Sequence, residues 1–87
     1  MSTNEKVLLQ FSVFGNAEQD PDRVLLRAAR DKIKAHEGPN VRILRQLPNP
    51  EAPTRFLVQT DARTVHALLK EFAPTVEVEE NRALFFP

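Results

Sequence analysis

Proline placement constrains this chain more than any other feature. Seven prolines stand in 87 residues. Each of Pro21, Pro39, Pro48, Pro50, Pro53 and Pro74 forbids a helix interior or a central strand at its own position. The chain is thereby cut into short pieces, and each piece must satisfy its own hydrophobic period.

Ahead of Pro21, Val7–Phe14 (VLLQFSVF) alternates. Val7, Leu9, Phe11 and Val13 share one face, and Leu8, Gln10, Ser12 and Phe14 take the other, which reads as a strand with one buried face. Asp20-Pro21-Asp22 reads as a helix start, with Asp20 as cap and Pro21 at the first helical position. Leu25, Leu26, Ala29, Ile33 and His36 then fall on one helical face, and Gly38-Pro39 ends the run.

Val41–Leu47 (VRILRQL) is a second expected strand, with Val41, Ile43 and Leu47 inward. Pro48–Pro53 is a rigid loop. Thr54–Thr60 (TRFLVQT) is a third strand, with Phe56 and Val58 on one face. Thr60-Asp61 opens a second helix, in which Val65, Leu68, Leu69 and Phe72 follow the spacing of a core-facing stripe. Pro74 stops it, and Thr75–Glu80 is a fourth strand.

Strand, helix, strand, strand, helix, strand is the order of an α+β, ferredoxin-like βαββαβ domain. It folds into a four-stranded antiparallel sheet with both helices on one face. The whole of residues 1–87 is expected to be this one domain, with a loose N-terminus over 1–6 and an exposed tail over 83–87. The uncovered sheet face is expected to hold Leu8, Gln10, Ser12, Arg42, Leu44, Gln46, Arg55 and Leu57. That amphipathic mixture suits docking, with Leu44 and Leu57 as its contact residues.

Composition removes several function classes. Twelve basic and twelve acidic residues cancel, which disfavours nucleic acid as a partner, because phosphate contacts dominate that affinity. The aromatics Phe11 and Phe56 fall on the helix-packed face, where they cannot stack bases. There is no cysteine, so disulfides and thiolate chemistry are excluded. No apolar run reaches the roughly 18 residues needed to span a bilayer, so no membrane partner is expected. No secretory leader is visible, which favours a cytoplasmic location.

His36 and His66 lie on different helices without partners at metal spacing. Two isolated glycines, Gly15 and Gly38, cannot build a phosphate loop. Glu79 and Glu80 point to opposite strand faces and cannot act as a carboxylate pair. Neither enzymatic activity nor a cofactor is expected.

The last twenty residues, LLKEFAPTVEVEENRALFFP, carry a resemblance. A helix of the type A-x-x-V-x-x-L-x-x-x-P, then V-x-x-V-E-x-(D/N), then a short apolar tail resembles the propeptide-like inhibitors of subtilisin-type serine proteases. The matching residues are Val65, Leu68 or Leu69, Pro74, Val76, Val78, Glu79, Glu80, Asn81 and Ala83–Pro87. Lys6–Ser12 is similar to the family's first strand.

The resemblance implies an inhibitor, or folding chaperone, of a subtilisin-type protease, and a monomer when free. In that family the open sheet face lies on two protease helices, residues just before the tail cap those helices, and the tail enters the cleft as a product would. By position Glu79 and Asn81 are the caps, and Ala83, Leu84, Phe85, Phe86 and Pro87 are the cleft residues. Leu84 would fill the deep apolar pocket. Asn81 replaces the more usual acid, and Pro87 fits poorly a pocket that prefers larger apolar residues, so that either Pro87 or Phe86 takes the primary pocket. A free-standing inhibitor and an excised propeptide both remain open. So do a protein–protein assembly module that dimerises through its sheet and a small ligand-binding regulatory domain.

Overall fold

The computed structural model describes residues 8–48 and 53–81. Its elements, in chain order, are β1 (Leu9–Gly15), α1 (Val24–Ala35), β2 (Arg42–Leu47), β3 (Arg55–Thr60), α2 (Ala62–Leu69), a 3-10 turn at Lys70–Phe72, and β4 (Val76–Glu80). The four strands form one antiparallel sheet in the order β2-β3-β1-β4. This is the ferredoxin-like βαββαβ arrangement expected from the order of elements.

Period-two alternation builds the core. Phe11 pairs with Val58, and Val13 stands between Phe56 on β3 and Val78 on β4. Leu26, Ala29 and Ile33 of α1 join them from above, as do Val65 and Leu69 of α2 and Phe72 of the turn, in one buried cluster. Val13, Leu26, Ile33, Phe56, Val58 and Val65 are wholly shielded, each worth roughly 1.5–3 kcal/mol of transfer free energy. Phe11 and Phe56 are thus core residues, as the alternation requires.

The start of α1 differs from the expectation. Pro21 and Asp22 lie in a turn, and the helix begins only at Val24, after Arg23 in the left-handed region at φ 58°. Asp20 still caps, from further back. The Arg23 N–H donates to the Asp20 carbonyl (2.9 Å), and the left-handed step at Arg23 brings the helix end onto the Asp20 carboxylate. Its two oxygens accept from the N–H groups of Val24 (2.8 Å), Leu25 (3.0 Å) and Leu26 (3.1 Å). Three of the four N–H groups that a helix start leaves open are satisfied by one buried side chain. Leu25 and His36 are exposed, and the buried stripe of α1 is Leu26, Ala29 and Ile33.

The second helix follows its sequence signal closely. The Asp61 carboxylate accepts from the Thr64 N–H (3.2 Å) and the Thr64 hydroxyl (2.6 Å). Lys32 of α1 reaches Glu71 and lies 5.9 Å from the centre of the Phe72 ring, tying the two helical segments together.

A β-bulge corrects the expected face of β2. Ile43 pairs with Val58, but Arg45 pairs with Leu57, which leaves Leu44 as an extra residue between them. The extra residue reverses the alternation beyond it. Gln46 therefore pairs with Phe56 on the helix side, where its side-chain oxygen accepts from Arg30 (3.1 Å). Arg45 and Leu47 move to the open face. Gln46 does not take its expected place there, and Leu47 is not inward.

Candidate functional site: the open sheet face

The strand registers lay out the open face as three rows running from β2 across β3 and β1 to β4. The first is Arg42, Gln59, Gln10 and, by continuation of the β4 ladder, Asn81. The second is Arg45, Leu57, Ser12 and Glu79. The third is Leu47, Arg55, Phe14 and Glu77. Side chains in such rows are neighbours about 5 Å apart across each strand pair.

The face has a charge gradient. Arg42, Arg45 and Arg55 lie on the β2–β3 side, and Glu77 and Glu79 on β4, all five exposed. A neutral band of Gln59, Leu57, Gln10 and Ser12 separates them. Arg45 and Glu79 stand three strand spacings apart, about 14 Å, beyond the Debye length of about 8 Å at physiological ionic strength. None of the five forms an intramolecular ion pair among the described residues. Arg55 instead lies 5.5 Å from the centre of the Phe14 ring, its cross-strand neighbour, in a cation–π contact.

Of the residues singled out from sequence, Glu79 and Asn81 are brought together at the β4 edge, two positions apart and on one face. Asn81 is half-buried, and its N–H donates to the Gln10 carbonyl (2.7 Å), which extends the ladder one bond past β4. Leu57 is half-buried in the same row as Glu79. Leu44 sits at the bulge, 37 % exposed, and has no place in the rows. Ala83, Leu84, Phe85, Phe86 and Pro87 lie outside the described residues. Glu80 pairs with Phe11 on the helix side, so Glu79 and Glu80 do face opposite ways.

Sequence reasoning set Phe14 on this side of the first strand and missed Arg45, Leu47, Gln59 and Glu77 as members of the face. The signal for β2 was present in Ile43-Leu44, two adjacent apolar residues that break the alternation begun by Val41-Arg42-Ile43. Phe14, Gln59 and Glu77 follow from simple alternation along their strands.

Two hollows flank the face. At one end, Phe14, Arg23, Leu47, Pro48 and Arg55 line a wide, open depression of ≈ 580 Å³. On the helix side of the β4 edge, a groove of ≈ 650 Å³ runs past His66, Leu69, Pro74, Val76 and Val78. Among the described residues no three His, Cys, Asp or Glu side chains are grouped to hold a metal ion. No described helix is long and apolar enough to cross a membrane.

Comparison of the chain with family models, curated proteins and solved structures gives no match.

Proposed function

We propose that this domain docks on a subtilisin-type serine protease and inhibits it, or assists its folding, with Leu84–Pro87 entering the substrate cleft. The observation that carries this role is the juxtaposition of Glu79 and Asn81 at the end of an edge strand, both on the sheet face away from the helices. A carboxylate and an amide oxygen so placed suit the free N–H groups at the N-termini of surface helices. Residues 82–87 follow β4 directly in sequence. An extended segment in that position can add a strand to a cleft edge, with main-chain hydrogen bonds for affinity and alternate side chains in pockets.

The test is inhibition of a panel of subtilisin-type proteases by the full chain and by a chain ending at Ala83, with trypsin-type enzymes as controls. The full chain should inhibit, and the shortened chain should keep its far-UV circular dichroism and lose inhibition. Glu79→Ala should weaken inhibition by less, about 1–2 kcal/mol, since it removes one charge-assisted cap. Deleting Pro87 alone separates the two registers. A small change assigns Phe86 to the primary pocket, and a change of tenfold or more, about 1.4 kcal/mol, assigns Pro87. Inhibition that survives loss of Leu84–Pro87 would exclude the substrate-like mechanism.

A further inference from the structure

We infer that the open sheet face is a self-association surface, on which a second copy of this chain packs face to face about a two-fold axis parallel to the strands. The inference follows from the rows and does not rest on protease inhibition.

A face-to-face dimer of one sheet has two simple choices of axis within the plane between the copies. An axis across the strands lays β2 over β2 and β4 over β4. The middle row then meets itself, Arg45 over Arg45 and Glu79 over Glu79, both repulsive, while the outer rows set Arg42, Arg55 and Glu77 over uncharged residues. An axis along the strands lays β2 over β4 and β3 over β1. Each row then meets its own reverse, as an isologous contact requires.

The second row places Arg45 over Glu79 of the second copy and Leu57 over Ser12. The first places Arg42 over Asn81 and Gln59 over Gln10. The third places Arg55 over the Phe14 ring of the second copy, in addition to the ring it already contacts. Leu47 over Glu77 is the one poor match. Arg45 and Glu79, too far apart to satisfy each other within one copy, thus meet twice between two.

The edges of the sheet favour this geometry over strand-to-strand pairing. β4 is five residues long and carries Glu77, Glu79 and Glu80, so pairing it with its own copy would line up like charges. β2 is interrupted by the bulge at Leu44. Short, charged and bulged edges resist edge addition.

Size sets the strength. Three rows over four strands cover about 400 Å² per copy, or roughly 800 Å² in total, from strand and residue spacings. This lies below the roughly 1,200–2,000 Å² of a stable complex. The dimer is therefore weak, reversible and sensitive to salt. It departs from the free monomer implied by the family resemblance, and it occludes the face that protease docking would use.

Sedimentation equilibrium of the full chain from 10 µM to 1 mM tests the inference. In about 20 mM salt the mass should rise to that of a dimer and stop there, and in about 500 mM salt the chain should be monomeric. Arg45→Glu alone and Glu79→Arg alone should each weaken association at least tenfold. Combining both substitutions in one chain should restore it. Mixing the two single variants should also restore it, because each mixed dimer then has two attractive contacts.

Thermal melts of the single variants, at exposed positions, check that the fold persists. A monomer at 1 mM in low salt would overturn the inference. So would growth beyond two copies, which marks edge pairing, or single variants that associate like the parent. A failed inhibition assay leaves the dimer standing, and a monomeric chain leaves inhibition standing.

Discussion

Asp20 holds one end of the fold together. Its carboxylate accepts three helix N–H groups. The loop before it is fixed by Asn16, whose side-chain oxygen accepts from Glu18 and Gln19, and whose N–H reaches the Thr75 carbonyl (2.8 Å) at the entry to β4. Loss of the Asp20 side chain would leave these N–H groups in a site only 6 % exposed. Asp20→Ala should lower the unfolding free energy by about 2 kcal/mol, the upper range for a cap, because the bonds are charge-assisted and shielded. Urea titration followed by circular dichroism measures this directly. An unchanged midpoint would mean that water replaces the carboxylate without loss. Sequence identified Asp20 as the cap but not its reach, since nothing in Asp-Pro-Asp-Arg announces that Arg23 adopts the left-handed conformation.

The same contrast between clear and hidden signals recurs among the elements. Helix α2 was legible because every local cue agrees: Asp61 caps, Val65 and Leu69 keep the period, and Pro74 stops the chain. Its last contribution to the core is Phe72, beyond the helix proper, in the 3-10 turn. Phe72→Ala should cost about 3–5 kcal/mol, a large share of the roughly 5–10 kcal/mol available to a domain of this length. A thermal melt that Phe72→Ala leaves in place would show that the turn packs elsewhere. Strand β2 was half legible. Alternation fixed Val41 and Ile43, and the bulge then inverted the rest. A one-residue slip changes which side chains face the helices, so Gln46 turned toward them and Arg45 joined the open face. Bulges are decided by pairing across strands, here Arg45 with Leu57 and Gln46 with Phe56, and a single strand's sequence holds only the hint of Ile43-Leu44.

The whole molecule combines equal numbers of basic and acidic residues with a sheet whose two margins carry opposite signs. Element order and core were readable from punctuation and period. The charge gradient was not, because it emerges only when strands distant in sequence are set side by side in the order β2-β3-β1-β4. Electrically, such a body has almost no monopole near neutral pH, and its sheet contributes a dipole component that runs across the strands. Its neighbours in a concentrated solution therefore feel little of the net repulsion that keeps charged proteins apart, while the dipoles attract when suitably oriented. Small ions screen that attraction within about 10 Å at 0.1 M. The chain should accordingly salt in: its solubility near neutral pH should rise between about 10 and 200 mM sodium chloride, and light scattering should show the second virial coefficient climbing over the same range. Glu77→Lys together with Glu79→Lys would remove the acidic margin and give the molecule a net positive charge, and its solubility should then become high and nearly indifferent to salt.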